Sequence, residues 1–269
     1  MRSNSHALSV VPAFVALLAA CSADGAAGPN AHQVSLSFTT AARLSPAMLN
    51  GLTSGSLTQT VGSNTLVITK AQIVLKRIEL TTSSTTDCTA DNTMVSGDMS
   101  GGTGGPSGHP ECDEVRADPA VVDLPVDGSV TTSAVATVAA GTYSAFEARI
   151  HAVRGTDTVS TNFLTANPTF AGVSVHVEGT YNGTNFTYDG RSTGMIELAF
   201  SPPVTVTTGG INITVNADLS TWFVDGSGNL IDPSTAGSGG ANEMLVGHNI
   251  HESFEAFEDD HHDGHPDHH

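Results

Sequence analysis

The residues with the clearest potential for chemistry lie at the C-terminal end of the chain. After Arg191 the sequence holds twelve acidic residues and seven of its twelve histidines, but no lysine or arginine. Imidazole nitrogen and carboxylate oxygen both bind divalent metal ions, and imidazole favours zinc, copper or nickel over calcium. The pattern therefore makes the C-terminus a candidate metal-binding region. The candidate ligands are His248, His251, Glu255, Asp259, His261, Asp263 and His265.

The spacing of these residues leaves three interpretations open. Asp259, His261 and Asp263 precede Gly264 in a pattern that resembles a calcium-binding loop, but His261 stands where an oxygen ligand belongs. No glutamate follows at the position of the bidentate ligand, so the segment is not an EF-hand. The interpretations are a transition-metal site for zinc, copper or nickel, a calcium site, and a solvated acidic tail without a dedicated ligand.

No motif of an established catalytic centre is present in the sequence. Residues 251–255 begin like the zinc-protease sequence His-Glu-x-x-His, but Glu255 replaces the second histidine. Phosphate-binding, dinucleotide-binding and serine-hydrolase motifs are absent. His151 and His176 fall on the polar faces of predicted strands, where we expect them to face solvent. We therefore predict that the protein is not an enzyme.

The N-terminus indicates where such a protein would act. A charged start at Arg2 leads into an apolar run over residues 10–18 and then into Leu-Ala-Ala-Cys, ending at Cys21. This is the cleavage pattern of a bacterial lipoprotein signal, and the run is too short to span a membrane. We predict a signal peptide over residues 1–20, lipidation of Cys21 and a flexible tether over residues 21–31. The alternative is an ordinary secretory signal with a coincidental cysteine.

The predicted anchor also suggests a location in the cell envelope. Ser22 follows the cysteine where an aspartate often signals retention in the inner membrane. We therefore expect sorting to the outer membrane, with the periplasmic or surface face left open. The lipid anchor is then the predicted contact with the membrane.

The two remaining cysteines enclose a glycine-rich segment. Cys88 and Cys112 flank what we predict to be a loop over residues 96–110. In an exported protein an isolated pair most often forms a disulfide. Closing a loop of this length would stabilise the fold by about 3 kcal/mol in the chain-entropy model. A metal-binding or redox-active pair is the alternative, although the Cys-x-x-Cys spacing is absent.

The chain is strongly acidic. It has 27 acidic residues against nine basic ones and a formal net charge of −18. Such a charge repels nucleic acid and anionic headgroups, so nucleic-acid binding is not expected. Cations and basic partners are the natural counterparts of this surface.

Alternating apolar residues and regularly spaced turns predict one antiparallel β-sandwich over residues 32–224. In residues 66–80 the apolar phase slips by one position near Lys76 and Arg77, which predicts a β-bulge. The Asn-Gly pair at Asn182, between two apolar runs, predicts a two-residue hairpin. The expected fold is all-β, either immunoglobulin-like or transthyretin-like, with a short C-terminal helix.

The C-terminal part of the sequence has a different pattern. We predict a loop and an amphipathic helix over residues 225–258, followed by an acidic, histidine-rich tail over residues 259–269. The helix prediction rests on apolar residues at intervals of four, four and three, which lie on one helical face. These residues are Val246, Ile250, Phe254 and Phe257.

Parts of the sequence resemble bacterial lipoproteins of the domain-of-unknown-function 4382 type. The similarity is carried by residues 67–80, by Pro-Ala-Val-Val-Asp-Leu-Pro-Val-Asp-Gly at 119–128, and by Ala-Gly-Thr-Tyr leading into residues 146–151. The resemblance covers about residues 66–153, with an extension toward Trp222 left open. It implies a transthyretin-like or immunoglobulin-like sandwich and brings no established activity or catalytic residues.

These features predict a lipid-anchored binding or interaction protein of the cell envelope, with an envelope protein or a glycan as its partner. Divalent metal (Zn, Cu, Ni or Ca) is a candidate ligand of its C-terminus. The alternative is a carbohydrate- or surface-polymer-binding module, since sandwiches often bind glycans with exposed aromatic side chains. Three tyrosines and one tryptophan in the whole chain weigh against that alternative.

Overall fold

The computed structural model describes residues 31–40, 49–53, 55–82, 112–116, 118–191 and 193–267. The predicted signal peptide, the lipidation site Cys21, Cys88 of the predicted disulfide and the loop 96–110 lie outside these residues. The predictions that rest on them therefore stay predictions.

Within the described ranges the chain has thirteen strands and two α-helices. The helices are α1 (Thr158–Ala166) and α2 (Glu243–His251). The strands are β1 (Ala31–Thr39), β2 (Leu49–Thr53), β3 (Ser56–Val61), β4 (Asn64–Thr82), β5 (Cys112–Arg116), β6 (Ala120–Leu124), β7 (Thr131–Ala139), β8 (Gly141–Ile150), β9 (Val175–Tyr181), β10 (Thr184–Gly190), β11 (Gly194–Val206), β12 (Ile211–Ala217) and β13 (Phe254–Glu258).

The strands form two sheets, which confirms the predicted all-β sandwich. The smaller sheet has the order β13-β12-β1-β7, and the larger sheet is organised around the long strand β4. In the described part of the chain β1 and β12 pair in parallel, whereas the other strand pairs are antiparallel. A parallel pair needs a long crossover connection, and the chain between β1 and β12 supplies one. The sandwich is thus dominated by antiparallel pairs rather than purely antiparallel.

The predicted bulge in β4 is confirmed. The register of β4 against β8 shifts between Lys76 and Ile78, and the intervening Arg77 has a left-handed φ of 55°. The bulge lies where β4 changes partners: residues up to Ile73 pair with β9, and residues from Leu75 onward pair with β8. The one-residue slip in the sequence therefore marks the junction between two halves of the larger sheet.

The predicted hairpin between β9 and β10 is also confirmed. Asn182 and Gly183 have φ values of 51° and 79°, so both occupy the left-handed region that this turn requires. The Asn182 side chain accepts a hydrogen bond from the backbone N–H of Thr65 at 2.8 Å. The turn is therefore tied to the neighbouring strand β4 as well as to its own hairpin.

The main core lies between the two sheets, and a second, smaller apolar cluster lies under α1. The sequence pattern did not predict α1, because its Thr-Val-Ser-Thr-Asn start contains weak helix formers. The helix is instead started by Asp157, whose carboxylate accepts the backbone N–H of Ser160 at 2.9 Å. It is held to the sheet by buried Phe163, which packs with Val74 and Phe170.

The prediction of one amphipathic helix through residue 258 is wrong in its second half. Helix α2 ends at His251, and Phe254–Glu258 forms β13, which pairs antiparallel with β12. Val246 and Ile250 face the core from the helix, as predicted, whereas Phe254 reaches the core from the strand. The fully buried strand β12 needs a backbone partner on its outer side, and β13 satisfies those groups. In the described residues, neither helix has the length and apolar character needed to cross a membrane.

Candidate functional site

The C-terminal acidic segment is folded onto the sandwich as far as residue 267. Asp259 is completely buried, and both of its carboxylate oxygens accept hydrogen bonds. One oxygen accepts the backbone N–H of Asp263 at 2.9 Å, and the other accepts the N–H of Gly264 at 3.0 Å and the hydroxyl of Thr214 at 2.9 Å. The carboxylate that looked like the first ligand of a calcium loop therefore holds the loop's own backbone.

The turn around Asp259 covers the outer face of the smaller sheet. The amide of Asn212 on β12 donates to the backbone oxygen of Asp259 at 2.8 Å and accepts from the hydroxyl of Ser37 at 2.8 Å. Gly264 packs beside Thr39 of β1, where an added Cβ would come within 3.5 Å of the threonine hydroxyl. Residues 259–267 are therefore a structural cover and not a freely solvated tail.

A second carboxylate closes the same turn from its far end. Asp267 accepts the backbone N–H of Asp260 at 2.6 Å and contacts the ring Nδ1 of His261. The hydrogen bond with Asp267 raises the pKa of His261, and its reciprocal effect lowers the pKa of Asp267. Each charge stabilises the other. The ion pair therefore stabilises the folded turn at pH values where Asp267 is ionised and His261 is protonated.

The His261–Asp267 pair gives a pH-dependent prediction. Because the folded pKa of His261 is raised, its contribution to stability is complete below the ordinary value near 6.5 and is lost as the pH rises through the folded value. We expect the Asp267→Asn substitution to lower the pKa of His261 toward that of a free imidazole, as measured by NMR titration of the ring. An unchanged His261 titration in the variant would contradict the pairing. The control Glu252→Gln removes a carboxylate that is not among the groups acting on His261, so it should leave the His261 titration unchanged.

The structure does not bring the predicted metal ligands together. Among the described residues, no group of three or more His, Cys, Asp or Glu side chains is arranged to hold a metal ion. The predicted ligands are spread over α2, β13 and the C-terminal turn. Their positions are exposed His248 and His251 on α2, half-buried Glu255 on β13, buried Asp259, and exposed His261, Asp263 and His265 in the turn.

The expectation that His176 faces solvent is wrong. Its side chain is only 6% exposed, and the Phe170 ring packs against the imidazole in a T-shaped arrangement with the ring centroids 6.0 Å apart. The Nδ1 atom lies 2.7 Å from Asp189 and the Nε2 atom 2.9 Å from Glu178. Hydrogen bonds from His176 and Lys70 lower the pKa of Glu178. This cluster joins β4, β9 and β10, and its ring nitrogens are already engaged by carboxylates.

An edge groove lies between the two sheets, where strand β13 of the smaller sheet approaches strand β11 of the larger sheet. Strand β13 is the last strand of the smaller sheet, and β11 pairs only with β8 in the described part of the larger sheet. The groove has a volume of about 390 Å³. Its apolar lining is contributed by Leu198, Phe200, Pro202, Val204, Phe254, Ala256, Phe257 and Pro266.

Helix α2 is joined to strand β11 by a histidine. The ring Nε2 of His251 donates a hydrogen bond to the backbone oxygen of Met195 at 2.6 Å. The ring lies so close to β11 that a Cβ on Gly194 would come within 2.5 Å of the imidazole Cδ2. His251 therefore joins the helix to β11, and a side chain at residue 194 would displace its ring.

The charges along the edge groove are all negative. Among the described residues, its lining includes Glu197, Glu255, Glu258 and Asp267, and no lysine or arginine. Glu197 is exposed, whereas the carboxylates on β13 are half-buried. Carboxylates beside an apolar, low-dielectric wall attract a cation more strongly than the same groups in bulk water. The groove therefore combines an apolar floor with a uniformly acidic rim.

One backbone edge of β13 faces away from its partner strand. The backbone oxygen of Ser253 and the backbone N–H of Asp259, on either side of β13, bond to the β12 segment at 3.0 and 2.9 Å. Hydrogen-bonded pairs alternate along an antiparallel ladder. The N–H and C=O groups of Phe254 and Ala256 therefore point to the opposite edge, as does the oxygen of Glu258. That last oxygen accepts the N–H of residue 267 at 3.0 Å.

Two other cavities lack this combination of features. A cavity of about 280 Å³ lies beside α1 and is lined mainly by apolar residues such as Phe38 and Phe163. Another, of about 320 Å³, is a shallow polar depression beside Asp260 and His262. The described aromatic side chains are buried or half-buried, so within that part of the chain we find no exposed aromatic strip for a glycan.

No protein-family model, curated protein or solved structure matches the chain. The resemblance to domain-of-unknown-function 4382 lipoproteins therefore stays a prediction.

The edge groove could not be predicted from the sequence, because it forms only when two strands far apart in the chain are brought together. Alternation predicts two strands over residues 195–200 and 204–208, which the structure joins into the single strand β11. The placement of β13 beside β11 depends on tertiary pairing with β12.

Proposed function

We propose that the protein is a binding protein of the cell envelope, anchored through Cys21, whose edge groove receives an extended basic segment of a partner protein. The observation that carries this proposal is the joint presence of an open strand edge and an acidic rim in one groove. The open groups of Phe254 and Ala256 can accept a further strand, as in other complexes formed by strand addition. The apolar residues between β11 and β13 offer contacts for alternate side chains.

The charge of the groove selects the kind of partner. Four carboxylates line it, of which Asp267 is already paired with His261, and the chain has no lysine or arginine after Arg191. Lysine or arginine side chains on an incoming strand would neutralise this rim. A second copy of the chain is disfavoured as the occupant, because its formal net charge is −18 and the two copies would repel each other.

The β11 side of the groove is less suited to accept a strand. Pro202 and Pro203 lie within β11, and its register against β8 is interrupted between Ala199 and Val204. Proline lacks a backbone N–H, so this part of the edge cannot continue a ladder. The incoming segment is therefore expected to pair with β13 and to contact β11 through side chains.

A designed peptide tests the charge requirement. The probe is an eight-residue peptide of alternating lysine with valine or threonine, compared with the same peptide carrying glutamate in place of lysine. We expect calorimetry with the full chain to show binding of the lysine peptide only, weakening as salt is raised. Equal binding of both peptides, or of neither, would overturn the proposal.

Matched variants locate the binding site. We expect the double substitution Glu197→Gln and Glu255→Gln to weaken lysine-peptide binding about tenfold, because each lost ion pair contributes about 0.2–1 kcal/mol and tenfold corresponds to about 1.4 kcal/mol. The control Glu252→Gln removes a charge from a 64% exposed side chain outside the groove lining and should leave affinity unchanged. A loss of the same size in the control would show nonspecific charge attraction.

Backbone methylation tests strand addition separately from charge. Methylating alternate peptide nitrogens removes donors on one edge of the probe while keeping its lysines. If the probe pairs with β13, one of the two methylation registers should abolish binding and the other should preserve it. Equal affinity for both methylated peptides would exclude strand addition.

A further inference from the structure

The basic residues of this acidic protein are not evenly distributed. Lys76 on β4 lies directly opposite Arg149 on β8 in the strand register, just before the bulge. Like charges in directly opposed positions destabilise a strand pair. Among the described residues neither side chain forms an ion pair, although the chain has 27 acidic residues. An unpaired cation pair is thus held on the outer face of the larger sheet.

A third cation approaches the same face from the loop after β8. Arg154 is exposed and also lacks an ion-pair partner among the described residues. Its Nε lies 3.6 Å from the position that a Cβ on Gly172 would occupy. The backbone N–H of Gly172 bonds to Val153 at 3.1 Å, so this turn is fixed beside the sheet. The arginine is therefore placed over a rigid part of the fold.

His151 lies close enough to these three cations for their charges to act on its ring. Its backbone N–H donates to Val74 of β4 at 3.2 Å, which fixes the residue beside the strand pair. Its ring Nδ1 is buried without a hydrogen-bond partner among the described residues. Burial lowers the pKa of His151, and the positive charges of Lys76, Arg149 and Arg154 lower it further. The imidazole is therefore neutral at pH 7.

The tautomer of this neutral ring follows from the buried nitrogen. An orphaned buried N–H is rarer in proteins than an acceptor with an unused lone pair. The proton therefore belongs on Nε2, which leaves Nδ1 as the unused acceptor. Nε2–H is then a neutral donor within a group of three positive charges.

We infer that Lys76, Arg149, Arg154 and His151 form a binding site for a tetrahedral oxyanion, a phosphate or sulfate group. Three unpaired cations supply the charge, and the arginine guanidinium groups supply planar pairs of donors that match oxyanion oxygens. His151 adds a donor that costs no further charge repulsion. This site lies on the outer face of the larger sheet, separate from the edge groove between β11 and β13.

Bound anion should change the titration of His151. The charged groups that act on the ring are Lys76 from β4, Arg149 from β8 and Arg154 from the following loop. Because an anion offsets their positive charge, it favours the imidazolium form and raises the pKa of His151. NMR titration of the full chain in inorganic phosphate or sulfate, against chloride at equal ionic strength, measures this rise. No difference between the oxyanions and chloride would overturn the inference.

Substitutions on the same strand provide a matched comparison. We expect Lys76→Gln or Arg149→Gln to weaken phosphate binding about tenfold, the scale of losing one charge-assisted contact. The control is Lys70→Gln, which removes the other lysine of β4, where it pairs with Glu178 at 3.0 Å. The control should keep wild-type affinity. An equal loss in Lys70→Gln would show a general effect of net charge and overturn the site.

The source of the oxyanion is distinguished with phosphatidylglycerol vesicles. Vesicle binding that free phosphate displaces assigns the group to a lipid headgroup. Binding of free phosphate without vesicle binding assigns it to a soluble or polymer-borne phosphate. Vesicle binding that persists in Arg149→Gln would place the membrane contact elsewhere and contradict a headgroup site.

Discussion

Replacing Asp259 with alanine is expected to lower the free energy of unfolding by about 3 kcal/mol. The carboxylate is completely buried and accepts the hydroxyl of Thr214 and the backbone N–H groups of Asp263 and Gly264. Alanine leaves all three donors without this acceptor. A buried donor that loses its partner costs about 1–3 kcal/mol, and partial access of water to the loosened turn limits the total.

Urea unfolding followed by the fluorescence of Trp222, the single and fully buried tryptophan, measures this loss. Asp263→Ala is the matched control, because it removes an exposed carboxylate from the same turn. That carboxylate accepts a hydrogen bond from the backbone N–H of His265. We expect the control to change stability by no more than about 1 kcal/mol. Equal losses in the two variants would show that the burial of Asp259 is not decisive.

The local features of the fold were predictable because their causes are local. A one-residue slip in apolar phase located the bulge at Arg77, and an Asn-Gly pair located the turn at Asn182. Both features depend on backbone conformations that few residues adopt readily. Strand alternation likewise identified the buried faces of β1, β4 and β8.

The C-terminal strand could not be predicted in the same way. The spacing of Val246, Ile250 and Phe254 fits a helix, and the Phe-Glu-Ala-Phe-Glu sequence of β13 is short enough to suit either structure. Pairing with β12 decides between them, and that pairing joins residues far apart in the sequence. Tertiary contact therefore overrides a pattern that local reasoning interpreted as helix.

The functional interpretation of acidic and histidine residues was limited by a related ambiguity. A carboxylate can bind a metal, or it can accept backbone N–H groups, as Asp259 does. Histidine can be a ligand, or it can connect two segments, as His251 does when it donates to Met195. The amino-acid sequence has the same residue types whether a side chain binds a metal or joins two segments. Only the structure shows which donors lie within hydrogen-bonding distance of that side chain.

The Gly179→Ala substitution is expected to lower the free energy of unfolding by at least about 3 kcal/mol, which is the upper end of the cost of overpacking. The cost is high because the added methyl group would clash with backbone atoms. An added Cβ would lie 1.9 Å from the backbone oxygen of Val67, on the neighbouring strand β4, and 3.1 Å from the ring of Phe186. A flexible side chain could move aside, but a strand backbone can move only by losing ladder hydrogen bonds. Residue 179 thus lies at a close approach of β9 to β4, next to the register shift after Ile68.

Gly226→Ala is the matched control for this close approach. An added Cβ at Gly226 meets no atom within 4 Å, and its φ lies outside the left-handed region. We expect its free energy of unfolding to stay within about 0.5 kcal/mol of the wild-type value. The difference between the two variants in urea unfolding then isolates the backbone contact from the general effect of exchanging glycine for alanine. If Gly179→Ala were as stable as Gly226→Ala, β9 and β4 would be farther apart than described, and the burial of His176 beside them would also be in question.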